Sequence, residues 1–209
     1  MEKITIPSAR FVLGEDALAV AADIDLGSRI RWKAQLSAAG FRVNTFAVGR
    51  GESITGEIDS TGSFRLLDGL LESKNRMSVT VDEWPEINAE TDISWKDNRL
   101  QLSHTMMPPY DMDLKLDALI ADLPTFELET HWQNIRWPFT SKPTWQSTSG
   151  SGTLSGQLDD YSVSLTTRLS GEYLPLSQIA LNGTGSLQAF NLTQLILSPV
   201  DQGRLDSSL

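Results

Sequence analysis

Phe126–Leu187, FELETHWQNIRWPFTSKPTWQSTSGSGTLSGQLDDYSVSLTTRLSGEYLPLSQIALNGTGSL, is the stretch whose reading decides the fold. Inside it Tyr161, Val163, Leu165 and Leu169 alternate with Ser162, Ser164, Thr166 and Arg168. Successive side chains of an extended chain face opposite sides of a sheet, so this spacing predicts a half-buried strand. Asp159-Asp160 before it and Ser170-Gly171 after it are turn formers. Two Gly-x-Gly-x-Leu units flank it, Gly150-Ser-Gly-Thr-Leu154 and Gly183-Thr-Gly-Ser-Leu187. Their three matching positions are each 33 residues apart.

The same grammar extends outward. From Ile4 to Leu71 the alternation predicts about six strands. Phe11 and Leu13 close a first pair, and Leu18 to Leu26 and Ile30 to Leu36 each alternate. Phe41, Val43 and Thr45 follow, with a slip at Thr45-Phe46 that reads as a bulge. Ile54, Gly56 and Ile58 precede a predicted turn at Asp59–Gly62, then Phe64 and Leu66 lead into a possible helical turn at Leu67–Leu71. Beyond Met77, Val79 and Val81 comes the clearest hairpin. Ile87, Ala89, Thr91, Ile93 and Trp95 face Leu100, Leu102, His104 and Met106 across Lys96-Asp97-Asn98. Pro108-Pro109 ends it, and Met112, Leu114 and Leu116 begin another run. Ala118 to Leu123 is ambiguous between strand and helical turn. Phe126, Leu128, Thr130 and Trp132 form the next strand, and Pro138 and Pro143 break the chain after it. Turns recur roughly every ten residues, too close for parallel crossovers, so the strands must be antiparallel neighbours. The reading is an all-β antiparallel meander of about fourteen to sixteen strands.

Such a sheet carries one apolar face, and leaving it wet costs about 25 cal/mol per Å². It must fold into a sandwich, close into a barrel or curl into a trough around something apolar; the periodicity leaves all three open. Composition narrows the partners. The chain has 209 residues, 40% of them hydrophobic, and a net charge of −10, which repels nucleic acid and anionic membrane surfaces at long range. It has no cysteine, which excludes disulfides, thiolate metal sites and cysteine nucleophiles. No run of about 18 apolar residues is present to span a bilayer as a helix.

Candidate chemical groups are sparse. The two histidines, His104 and His131, lack metal-ligand spacing; His104 falls on the apolar face and His131 on the other. Asp159-Asp160 reads as a turn before a strand rather than an acid/base pair. The six tryptophans, Trp32, Trp84, Trp95, Trp132, Trp137 and Trp145, are scattered as packing or rim residues are, not as a sugar-stacking surface. No helical pattern follows either Gly-x-Gly unit, so neither is a dinucleotide loop. Asn182-Gly-Thr184 and Asn191-Leu-Thr193 match glycosylation acceptors only as short motifs. No catalytic residue, metal site or cofactor is predicted.

Three phrases carry a family resemblance: Trp132-Gln-Asn-Ile-Arg-Trp-Pro138, Gly152-Thr-Leu-Ser-Gly-Gln-Leu-Asp-Asp-Tyr161 and Leu181-Asn-Gly-Thr-Gly-Ser-Leu187. They resemble the repetitive middle region of the TamB (translocation and assembly module) family, of the AsmA-like, bridge-like lipid-transfer group. The looser strand–turn pattern extends the resemblance over the whole chain. The family's N-terminal membrane anchor and characteristic C-terminal domain have no counterpart here, so residues 1–209 read as a single segment of a longer repetitive sheet.

The resemblance implies an elongated meander curled into a taco-like trough with an apolar interior. It implies a periplasmic segment, anchored to the inner membrane elsewhere, that carries phospholipid acyl chains between the two membranes. It also implies support of outer-membrane protein assembly and autotransporter secretion with an outer-membrane barrel partner (TamA-like). The lining candidates are the apolar-face residues Val20, Ile24, Ile30, Leu36, Ile54, Ile58, Val79, Val81, Ile93, Leu100, Leu102, Leu114, Leu116, Phe126, Leu128, Val163, Leu165, Ile179, Leu181, Leu195 and Leu197. The competing readings are a non-enzymatic β-repeat scaffold, adhesin- or passenger-like, with a dry core, and a β-sandwich hydrolase.

Overall fold

The computed structural model describes residues 2–13, 16–44, 51–81, 85–137 and 143–200. These form one sheet of thirteen strands, and its spatial order is the chain order. The strands are β1 (Glu2–Leu13), β2 (Asp16–Leu26), β3 (Arg29–Asn44), β4 (Gly51–Arg65), β5 (Leu70–Val81), β6 (Ile87–Lys96) and β7 (Arg99–Met106). They continue with β8 (Asp111–Leu119), β9 (Thr125–Trp137), β10 (Trp145–Gln157), β11 (Asp160–Gly171), β12 (Leu174–Gly185) and β13 (Phe190–Pro199). Every pairing is antiparallel.

Only sequential strands touch, so β1 and β13 do not meet and the sheet stays open. It is an all-β meander without helices among the described residues, consistent with a curled trough. The sandwich with a dry core needs a second layer, and the described residues form a single layer only. Area makes the same point. A compact monomer of 23.1 kDa exposes about 9,700 Å² by the usual mass scaling, whereas this chain exposes 14278 Å². The hydrophobic residues buried in it are Ala17, Val81, Ala89, Tyr110 and Ala118, three of them alanines sheltered by larger neighbours.

The turns explain where the sequence reading held and where it slipped. The β6–β7 hairpin closes on Asp97 and Asn98 at φ 49° and 61°. Both lie in the left-handed region that a two-residue turn matching the twist of the strands demands, and Asp and Asn tolerate it best after glycine. The segment Asp59–Gly62, expected as a turn, is instead the middle of β4, paired without interruption to Gln35–Trp32 and Arg76–Ser73. Its composition mimics a turn for a packing reason. Gly62 lies under the Trp32 indole, where a Cβ would collide with Cζ2, and Ser60 accepts the indole N–H at 3.1 Å.

Phe41 and Val43 likewise belong to the single long strand β3, whose irregularity sits between Ala38 and Phe41. The slip expected at Thr45-Phe46 lies outside the described residues, as do Trp84 and Pro138. Phe11 and Leu13 end a continuous β1 rather than forming a strand of their own. Ser170 and Gly171 end β11, and the turn falls one step later at Glu172-Tyr173. Leu66–Gly69 is the β4–β5 turn, and the ambiguous Ala118–Leu123 segment finishes β8 and then bends. Merging these pieces reduces the expected strand number to thirteen.

Candidate functional site

The register defines two faces. One cross-strand row runs the width of the sheet: Ile4, Ile24, Trp32, Gly62, Ser73, Ile93, Leu102, Leu116, Leu128, Leu154, Val163, Gly183 and Leu192, each the direct partner of the next. Thirteen strands at about 4.8 Å make this row about 58 Å long. Four residues away along each strand, Val20, Leu36, Ile58 and Met77 form a parallel apolar row, and Ile54 pairs Val81 and Val79 pairs Ile87 beyond it. On the other side run Ile30, Phe64, Leu71, Trp95, Leu100, Ala118 and Phe126. Leu114, Leu165, Leu181 and Leu195 share a further row, and Ile179 pairs Leu197. The lining candidates therefore all occupy one face. All but Val81, Leu195 and Leu197 are half-buried, shielded by same-face neighbours rather than by a covering layer. Leu195 and Leu197 are exposed because β13 has a neighbour on one side only.

Aromatic rings lie across glycines on this face. Trp132 is the direct partner of Gly150, Tyr161 of Gly185 and Trp145 of Gly171, and Phe190 reaches Gly183 from the adjacent strand. A Cβ at any of these glycines would strike the ring. The glycine supplies the gap, and the ring lies flat in it instead of standing away from the sheet. Trp132 is held there by a 2.7 Å hydrogen bond from Nε1 to the buried Ser147 hydroxyl, which is itself 2.7 Å from Thr167 Oγ1. The Gly-x-Gly units are thus seats for aromatic rings, a role that becomes visible only with the register. Their third position does not repeat, since Leu154 is in β10 and Leu187 in the exposed β12–β13 turn.

The opposite face is charged. Lys3–Asp23, Arg29–Glu72, Lys74–Asp92, Arg76–Glu90 and Arg99–Asp117 are cross-strand ion pairs with closest approaches of 2.7 to 3.5 Å. Asp117 takes two 2.7 Å bonds from Arg99 and one from Gln101, which together hold its carboxyl below its ordinary value. The Thr5 hydroxyl, then Lys3, does the same for Asp23. Tyr110, after Pro108-Pro109, is driven the other way: burial raises its phenol.

A groove of about 870 Å³ crosses this charged face from β3 to β9. One wall is Arg31, Ser63, Glu72, Ser94, Gln101, Asp117 and Glu127; the other is Thr61, Lys74, Asp92, Ser103, Lys115 and Glu129. Gly62, Ser73, Ile93, Leu102 and Leu116 form the floor between them. The sequence reading did not anticipate it, because alternating charges signal solvation and carry no information on where rows of side chains leave a trench. His131 belongs to the charged face, paired with Asp113 and Ser151. Among the described residues no three His, Cys, Asp or Glu side chains converge as metal ligands, and no helix is long and apolar enough to cross a membrane.

An uncovered, single-layer β-meander with one apolar and one ion-paired face defines a class of extended carrier or scaffold sheet. Residues 86–208, more than half of the chain, match the family model described as TamB, N-terminal domain. The chain belongs to the TamB family. That places it in the translocation and assembly module, a structural and transport family and not a known family of enzymes, whose members generally span the periplasm from an inner-membrane anchor. No solved structure matches the chain.

Proposed function

We propose that the apolar face is the bed of a lipid conduit. On it, phospholipid acyl chains pass between the inner and outer membranes, and through the conduit the protein supports outer-membrane protein assembly and autotransporter secretion with a barrel partner. One observation carries the reading: a row that is apolar apart from Ser73 and the ring-bearing glycines crosses all thirteen strands, and no second layer covers it among the described residues. Continuous apolar patches of this size on soluble proteins mark interaction surfaces. Each CH₂ buried against such a face contributes about 0.8 kcal/mol, so an acyl chain is held without any specific polar contact. It can slide because successive positions along the row are nearly equivalent. The flat-lying aromatic rings keep the bed shallow where glycines would otherwise pit it. No side chain has to react, and the mechanism is passive.

The test is native mass spectrometry of the purified chain with lipid extraction, on the wild type and on Leu165→Asp and Ile93→Asp. The expected result is co-purifying phospholipid in the wild type and its loss in both variants, with an unchanged β-sheet circular dichroism spectrum. Aspartate on an uncovered face keeps its hydration. In a packed core the same charge costs several kcal/mol and unfolds the chain. Unfolding of both variants, or a wild type free of lipid, would favour the dry scaffold.

A further inference from the structure

The apolar face carries a four-residue polar row that the conduit does not explain. Ser60, Asn75, Thr91 and His104 are direct cross-strand partners in one row over β4–β7, all on the apolar face. The row is enclosed. Ile58, Met77, Ala89 and Met106 run along one side, Gly62, Ser73, Ile93 and Leu102 along the other, and Ala34 and Leu114 close its ends. Four strands at about 4.8 Å make it about 15 Å long. The polar network under Trp132 is different in kind, because Ser147 and Thr167 are buried and bond to each other. The four residues of this row are all only half-buried.

Its chemistry has a direction. Thr91 Oγ1 lies 2.8 Å from His104 Nδ1, so Nε2 is the ring nitrogen left to face a ligand. Asn75 uses one Nδ2 hydrogen on the Thr91 carbonyl at 3.3 Å, and its Oδ1 accepts from Ser73; the second Nδ2 hydrogen is the group it can still offer. The Ser60 hydroxyl accepts from Trp32 Nε1, which leaves its own hydrogen to donate. With Thr91 donating to Nδ1, Nε2 carries the ring hydrogen, and in that tautomer the row presents a line of donors. Among the described side chains of β4–β7 the apolar face holds no carboxylate, and His104 is its one ionisable group. Glu57, Asp59, Glu72, Glu90 and Asp92 stand on the opposite face. A set of donors without a carboxylate beside them, framed by aliphatic side chains, suits an anionic oxygen cluster attached to an apolar body.

We infer that this row is a headgroup rest: the phosphate of a phospholipid sits on Ser60, Asn75 and His104 while its acyl chains lie along the flanking apolar rows. The inference rests on the lipid reading above and adds a position to it. Lipid pauses at β4–β7 with its headgroup on the sheet and slides elsewhere.

The two histidines supply the experiment. His104 is in the row, and His131 on the charged face is an internal control. The chain is treated with diethyl pyrocarbonate, and carbethoxylation at each histidine is followed by mass spectrometry. The treatment is done with dihexanoyl phosphatidylglycerol or with dihexanoylglycerol, each below its micellar concentration and matched for occupancy by native mass spectrometry. A hydrogen bond to a charged group is worth about tenfold in binding, so the phospholipid is expected to slow His104 modification about tenfold more than the phosphate-free lipid does. His131 reacts equally with both. Asn75→Leu is expected to abolish that difference while leaving dihexanoylglycerol binding intact. A row that serves only to fix register would weaken both lipids alike. Equal protection of His104 by the two bound lipids overturns the headgroup rest and leaves the conduit standing. Failure of both lipids to bind overturns both.

Discussion

At the scale of single residues, small side chains carry more of the structure than their size suggests. Gly150 exists so that Trp132 can lie flat. Gly150→Val drives a branched side chain into the indole, displaces Trp132 and breaks the hydrogen bond from its Nε1 to the Ser147 hydroxyl. The expected loss is about 1–3 kcal/mol in urea unfolding, with a red shift in tryptophan emission. Gly152→Ala, whose Cβ would meet only the Thr130 methyl at 3.3 Å as its nearest neighbour, is expected to cost far less. On the charged face Asp117 reports its pairing through pH. Its folded pKa lies below the ordinary value, so the Arg99 contact stabilises above about pH 3.9 and is lost as pH falls through the lower folded value. A carboxyl ¹³C titration is expected to place Asp117 below free aspartate, and Arg99→Gln to move it most of the way back.

At the scale of elements, the decisive case is β4. Its Asp59–Gly62 segment has the composition of a turn and the geometry of a central strand, with β3 on one side and β5 on the other. Each interior N–H of such a strand is committed to a neighbour, so Thr61→Pro removes a ladder bond. The substitution is expected to cost at least about 1–3 kcal/mol by urea midpoint. A true turn would have tolerated it. Proline in the Leu66–Gly69 turn, at Leu67, is the matched control, because that position is exposed and outside any strand. The hairpin of β6 and β7 was legible because Asp97-Asn98 states its own backbone requirement. The β4 merge was not, because Ser60 and Gly62, which look like punctuation there, are partners of Trp32 on the next strand.

At the scale of the whole molecule, an open sheet behaves unlike a globule. Its exposed area is about half again that of a compact protein of its mass. Small-angle scattering is therefore expected to give an elongated particle. A phospholipid that binds the folded sheet and not the unfolded chain is expected to stabilise it by about 2.7 kcal/mol at a hundredfold excess over its Kd, read as a rise in Tm. A closed sandwich would show neither the elongation nor the lipid-dependent Tm.

The sequence by itself determined the all-β antiparallel meander and which residues of a strand share a face, because period-two alternation and short turns are local and leave little freedom. It also carried the family, in the phrases of residues 132–187 that lie within the matched region. It did not determine whether the apolar face is covered, where a polar row crosses it, or that a groove runs along the charged side. Those depend on register between strands tens of residues apart and on whether a second layer exists. Alternation within a strand says nothing about either, since the same amphipathic strand serves a sandwich, a barrel or an open trough. Only the pairing of all thirteen strands in chain order, with nothing across from them among the described residues, decided for the open sheet.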